Sequence, residues 1–208
     1  MWGWRDCIYT ANRMEPPNAA VSLITDRLRQ SAEVTEAMSA RAPDIVRAAA
    51  IITESFQRGG KLLLCGNGGS AADCQHVAAE FVNRLSKDRE RRALPALALT
   101  TDTSYVTAYA NDYGFEGVYA RQVEAFGTVG DVLLAISTSG SSPNVLAAAA
   151  VARARGIAVI ALVGETGRLA AAADVAIQVP SRDTLLIQQV HLAVEHLICE
   201  LVERALFR

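Results

Sequence analysis

Apolar residues follow two different rhythms along this chain. Across residues 20–57, Val21, Leu23, Ile24, Leu28, Val34, Met38, Ile45, Val46, Ala49, Ile52 and Phe56 recur at helical intervals with charges between them, as expected where one face of each helix is buried. Two or three helices are predicted. Pro43 opens one of them, because proline is tolerated in a first turn, and Gly59-Gly60 stops it. Beyond Gly60 the rhythm changes to short apolar runs separated by turn residues and helix-period segments. Runs at 62–65, 94–100, 132–136, 158–163 and 175–179 predict strands. Helices are predicted after Ser70, from about Ser104 to Ala110, over 116–126 and 145–155, briefly around 169–173, and from Leu185 to Phe207. The polar run Ser86-Lys87-Asp88-Arg89-Glu90-Arg91-Arg92 reads as a solvated loop.

The run Val132-Leu133-Leu134-Ala135-Ile136 has no polar face, which is the mark of a strand covered on both sides in a parallel sheet. Strand and helix then alternate to the end of the sheet. The prediction is a three-layer α/β/α sandwich with a mainly parallel sheet, flavodoxin-like, preceded by an N-terminal helical arm. Ligands of such folds meet the carboxyl ends of the strands.

Two turns fall at that edge. Gly66-Asn67-Gly68-Gly69-Ser70 follows the first strand, where glycines let amides approach an anion and the helix start adds unpaired N–H groups. Ser137-Thr138-Ser139-Gly140-Ser141-Ser142-Pro143-Asn144 follows the 132–136 strand and supplies hydroxyls and amides for a phosphate without a charged side chain. A flexible polar loop would have the same composition. In the helix after the glycine turn, His76 and Glu80 lie about 40° apart around the axis and one turn apart along it, so both reach one point. A surface His–Glu pair satisfies the same spacing. Asn111-Asp112-Tyr113-Gly114 is expected to form a loop facing a ligand. Neither GxGxxG nor GxxxxGK[ST] follows any strand, which disfavours dinucleotides and nucleoside triphosphates.

Composition narrows the field. With 208 residues, 51% of them apolar, one sizeable core is expected. Residues 20–208 are read as a single domain, residues 1–19 as a disordered or non-native extension, and Met14 as the natural start. A net charge of −2 with scattered basic residues leaves no footprint for nucleic acid. Cys7, Cys65, Cys74 and Cys199 show no paired spacing, which fits a reducing cytoplasm. Apolar runs interrupted as by Arg153 and Arg155 do not predict a membrane span of about 20 residues, and the N-terminus lacks a signal-peptide core.

Cys65-Gly66-Asn67-Gly68-Gly69-Ser70-Ala71-Ala72-Asp73, His76, Glu80, Asn111-Asp112, Ser137-Thr138-Ser139-Gly140 and Gln188 with His196 together resemble the phosphoheptose isomerases of the sugar isomerase (SIS) domain family. The resemblance implies conversion of sedoheptulose 7-phosphate to D-glycero-D-manno-heptose 7-phosphate, an entry to bacterial envelope heptose, by cytoplasmic homotetramers with active sites at subunit interfaces. It implies that Ser137, Thr138, Ser139 and Ser142 hold the phosphate, and that Asn67, Gly68, Gly69, Ser70, Asn111, Asp112 and Gln188 contact the substrate. It further implies one zinc per subunit on His76, Glu80, Gln188 and His196, with Glu80 and His196 as the acid/base pair. Relatives usually carry an Arg two residues before this Gln, where here Leu185-Leu186 stands, a departure that bears on how the last helix is anchored. The alternative is a non-catalytic SIS adaptor that binds the replication initiator DnaA, but such adaptors typically lack the acidic residue matching Glu80 and the His matching His196.

An aldose–ketose interconversion moves a proton between adjacent carbons, which suits a carboxylate and an imidazole; a Lewis acid would stabilise the enediolate. Ligation of zinc by Glu80 competes with its service as a base. Gln188 and His196, eight residues apart, span about 12 Å of rise and about 80° of rotation on one helix. From that spacing, at least one of them is expected to come from a neighbouring subunit, which makes a composite site in an obligate oligomer, with Glu80 and His196 meeting across chains as one version of it.

Overall fold

The computed structural model describes residues 17–207. Met14, Cys7 and the proposed extension up to residue 16 lie outside the described residues. Helix α1, Pro17–Ala37, begins three residues before the expected start, and a 3-10 turn over Met38–Arg41 leads into α2, Ala42–Gln57. The sheet strands are β1 (Leu62–Cys65), β2 (Ala96–Ala98), β3 (Val132–Ser137), β4 (Ala158–Val163) and β5 (Val175–Gln178). Between and after them run α3 (Gly69–Val82), α4 (Thr103–Tyr113), α5 (Val118–Phe126), α6 (Pro143–Ala154) and α7 (Thr184–Leu206). The strand order is β2-β1-β3-β4-β5, and every pairing is parallel.

Strand parity divides the core. Leu62, Leu64, Val132, Leu134, Ile136, Ile160, Leu162 and Ile177 face α2, α3 and α7. Leu63, Cys65, Leu133, Ala135, Val159, Ala161 and Val163 face α5 and α6. This two-sided burial is why the central strands read as unbroken apolar runs. Asp131 ties the entries of β1 and β3: its carboxylate accepts from Lys61 N at 2.9 Å, Lys61 Nζ at 2.6 Å and Thr128 N at 2.8 Å. Burial alone would raise its pKa, but these hydrogen bonds outweigh it and hold the carboxyl below its usual range.

The expected 94–100 strand shortens to three residues at the sheet edge. The loop expected at Asn111-Asp112 is instead the last turn of α4, which ends at Gly114 with φ 84°. Asp102 caps the start of α4, accepting from Tyr105 N at 2.9 Å. Helix α7 is long and apolar enough by length and composition to cross a membrane, yet its apolar side packs on α2, α3 and the sheet. Its start is anchored despite Leu185-Leu186: Asp183 accepts from Leu185 N at 2.9 Å and from Arg27 of α1 at 2.7 Å, while Leu186 is buried.

Candidate active site

The sheet reverses its winding between β1 and β3. The β1 turn leads to α3 on one face and the β3 turn to α6 on the other, so the two turns frame the crevice that a switch point leaves open. Side chains bind the two turns together. Asn67 Nδ2 donates to Asn144 Oδ1 at 2.8 Å and Asn144 Nδ2 donates back to Asn67 Oδ1 at 2.8 Å. Tyr119 from α5 donates its hydroxyl to Gly66 O at 2.6 Å, pinning the glycine turn from behind; burial raises its phenol pKa and keeps it a donor.

In the serine turn, Ser137 Oγ lies 2.9 Å from Ser142 Oγ and 3.4 Å from Ser139 Oγ. Ser142 is the N-cap of α6 and makes no side-chain cap bond. An N-cap serine normally bonds an amide of the first turn. Here that hydroxyl joins the other two, leaving a three-hydroxyl cradle above the positive end of α6. Gly140, at φ +60°, admits no side chain, because a Cβ would lie 2.5 Å from Thr166 O. Thr138 is half-buried, and its carbonyl accepts from Gly164 N at 3.1 Å.

At the glycine turn, Gly68 takes φ 56° and caps α3 with no side-chain bond. Gly69 lies so close to Gln188 that a Cβ would stand 2.1 Å from its Nε2. Ser70 is buried against Gly66. Gln188 donates to Asp73 Oδ2 at 3.3 Å. Burial pushes the Asp73 carboxyl up, and the Gln188 bond and His76 oppose that shift.

His76 and Glu80 on α3 meet His196 on α7 within this one chain. His76 Nε2 lies 2.8 Å from His196 Nε2 and 3.5 Å from Glu80 Oε1, and one donor atom from each of the three residues lies within 4.8 Å of the others. The version of the composite site in which Glu80 and His196 meet across subunits is therefore corrected. Helix α7 packs along α3, so His196 needs no neighbour to reach Glu80. Gln188, two turns earlier on α7, answers the spacing problem differently: it bonds Asp73 beneath the glycine turn. Asn111 and Asp112 are exposed on α4 and bond each other at 3.0 Å.

The three side chains fit a metal ion. Two imidazole nitrogens 2.8 Å apart leave room for a single hydrogen between them, and Glu80 Oε2 is buried with no hydrogen-bond partner among the described residues. Such an orphaned carboxylate oxygen is costly unless something meets it. Two imidazoles and a carboxylate are donors that suit a divalent ion such as zinc.

Sequence reasoning missed Asn144 and Tyr119 as parts of the site. Asn144 sat in the quoted serine turn, yet only its pairing with Asn67 gives it a role. Tyr119 carries no local signal. Glu195 was also not singled out: it is 1% exposed, neither oxygen has a partner among the described residues, and burial, then the Asp73 charge, pushes its pKa from 4.5 to about 8. A carboxyl raised on folding contributes stability that is full below pH 4.5 and is lost as pH rises toward 8. Thermal melts should show the wild type losing stability between pH 6 and pH 8 relative to Glu195→Gln. Parallel curves would remove Glu195 as the cause. His191, pushed by burial from 6.5 to about 4, acts on the acid side instead, its contribution being lost as pH falls through that window.

The geometry is that of a doubly wound sheet protein with a crevice at its switch point, lined by the serine hydroxyls and the start of α6. The SIS domain family model matches residues 27–164. A phosphoheptose isomerase of Roseiflexus sp. strain RS-1 is 51% identical over 194 residues, covering 92% of this chain and 98% of that protein. The structure of a phosphoheptose isomerase from Neisseria gonorrhoeae aligns with TM-score 0.83 and 40% identity, covering 89% of this chain and 99% of that one. One from Francisella tularensis aligns with TM-score 0.83 and 35% identity, covering 89% and 98%. The chain belongs to the SIS domain family and, within it, to the phosphoheptose isomerases.

Proposed function

We propose that this protein interconverts sedoheptulose 7-phosphate and D-glycero-D-manno-heptose 7-phosphate. The observation that carries this reading is the convergence of His76, Glu80 and His196 in a chain that also holds a three-hydroxyl cradle at a helix start. The cradle and the α6 amides hold the phosphate, and the Asn67–Asn144 bridge fixes the spacing between the cradle and the glycine turn. The sugar's first two carbons then reach Glu80 and His196.

Going from ketose to aldose, the carboxylate of Glu80 takes the proton from C1, and His196 donates a proton to the C2-side oxygen. The resulting enediol loses its O1 proton and regains a proton at C2, where the same two groups serve in reverse. The partly buried position of Glu80, 17% exposed at its side chain, keeps the base poorly hydrated. Held by His76, Glu80 and His196, zinc would supply Lewis-acid stabilisation of the charge on the two oxygens, at the cost that an oxygen of Glu80 or a nitrogen of His196 bound to it would not be free to carry the proton. One zinc per subunit is part of this reading.

A homotetramer with sites near its interfaces is supported by α1, whose apolar Val21, Leu23, Ile24 and Leu28 are all exposed in the single chain. A cytoplasmic setting is supported by the free, buried Cys65, Cys74 and Cys199. Incubating the pure protein with sedoheptulose 7-phosphate and zinc, and resolving the products by chromatography, should show the aldose. Folded, metal-supplied protein that yields none would reverse the reading in favour of an adaptor.

A further inference from the structure

The run of residues 86–92, predicted as a solvated loop, contains one side chain that is not solvated. Arg91 is wholly buried at its side chain, and its partner Glu203 is 4% exposed. Arg91 Nε donates to Glu203 Oε1 at 2.6 Å. The other guanidinium nitrogens reach the main chain of α3: Nη2 donates to Glu80 O at 2.7 Å and Nη1 to Phe81 O at 2.8 Å. Nη1 also reaches Arg92 O at 3.0 Å, and the Phe207 ring centroid lies 5.8 Å from Cζ. Glu203 accepts a second bond from Leu85 N at 3.1 Å.

The two ends of this bridge matter because of what else the helices carry. Glu80 and Phe81 belong to the last turn of α3, whose carbonyls lack intrahelical partners and carry the negative end of the helix dipole. Glu203 stands seven residues after His196 on α7, about two turns and about 10 Å along the same face. A single rigid fork thus grips the backbone of Glu80 on one side and, through Glu203, the helix that presents His196 on the other. Only a guanidinium can do this, since it offers several donors in one plane.

We propose that Arg91, paired with Glu203, is a positioning residue that sets the separation of α3 and α7 and so the geometry of His76, Glu80 and His196. It touches no reacting atom. The proposal rests on the isomerase reading for its kinetic arm and is independent of it for its metal arm. In Arg91→Lys the charge stays and the fork is lost. Supporting groups around a metal site are commonly worth about 10–100-fold in activity or metal affinity. For Arg91→Lys, assayed well below its melting temperature, kcat should fall at least about tenfold while KM for sedoheptulose 7-phosphate stays within about twofold, because the serine cradle lies on other elements. Zinc affinity, measured by calorimetric titration of metal-free protein, should fall by a similar factor.

A folded Arg91→Lys protein with both kcat and zinc affinity within twofold of wild type overturns the proposal, as does a rise in KM alone. If Arg91→Lys does not fold, the double variant Arg91→Met/Glu203→Met, which leaves no buried charge unpaired, is judged by the same measurements. If neither folds, the pair is a folding element and the proposal falls. A wild type that binds zinc but isomerises nothing sinks the isomerase reading instead, and the zinc affinities alone then decide the role of Arg91.

Discussion

Glu80→Gln and His196→Ala are each expected to abolish turnover while the protein still folds, with kcat lower by about 10²–10⁴-fold, the usual worth of a positioned acid or base. Glutamine keeps the shape of Glu80 and removes its ability to take a proton. It also meets His76, 3.5 Å away, with a weaker acceptor. Alanine at position 196 deletes the nitrogen that stands 2.8 Å from His76 Nε2. Both losses should appear in kcat more than in KM, since neither side chain belongs to the serine cradle. Mixing the two inactive proteins under subunit exchange should restore nothing, because Glu80 and His196 meet within one chain and every site keeps one defect. Recovery of activity after exchange confirmed by mass spectrometry would show that the pair works across subunits after all. Near-normal turnover in either single variant would remove that residue from the chemistry.

The fold was legible because its central strands are buried on both faces. Val132 to Ile136 could not be a half-exposed strand, and the alternation of such runs with helix-period segments leaves few arrangements besides a doubly wound sheet. Element ends were less legible, for reasons of competition between local signals. Asn111 and Asp112 favour turns by themselves, yet α4 runs through both, because Gly114 two residues later is the position able to take φ 84° and end the helix. Strand 94–100 shrank to Ala96–Ala98 because an edge strand pairs on one side only.

The site was legible where its chemistry is local. The hydroxyls at 137, 139 and 142 and the i,i+4 pair of His76 and Glu80 sit within single segments. What joins segments leaves no periodic trace. The Asn67–Asn144 bridge links residues 77 positions apart, the Tyr119 hydroxyl reaches back 53, and the Gln188–Asp73 bond crosses 115. The same holds for Arg91, whose composition argued for solvent while its partners lie at the ends of two helices. The cross-subunit version for His196 failed for a related reason: it compared two residues on one helix and left out α3, which brings His76 and Glu80 to His196 and leaves Gln188 to Asp73.

Changing Ser137 and Ser139 together to Ala should raise KM for sedoheptulose 7-phosphate by about 100-fold or more, since a hydrogen bond to a charged group is worth about 1.5–3 kcal/mol and two are removed. The melting temperature should move little. Ser139 is exposed, and among the described residues the Ser137 hydroxyl bonds only Ser139 and Ser142; Ala fills the same backbone conformation, and Ser142 is only half-buried. Ser139→Ala also removes the bond that Ser139 Oγ accepts from Ser141 N at 3.2 Å, but the main-chain bonds from Gly140 N to Ser137 O at 2.9 Å and from Leu169 N to Gly140 O at 2.9 Å remain, so the cradle should keep its shape while losing two of its three hydroxyls. Saturating substrate should then recover much of the wild-type kcat, because Glu80 and His196 are untouched, and inorganic phosphate should become a poorer competitive inhibitor by a similar factor. An unaltered KM in the folded double variant would mean that the phosphate sits elsewhere, and the alignment of the sugar carbons with Glu80 and His196 would have to be rebuilt from a different anchor.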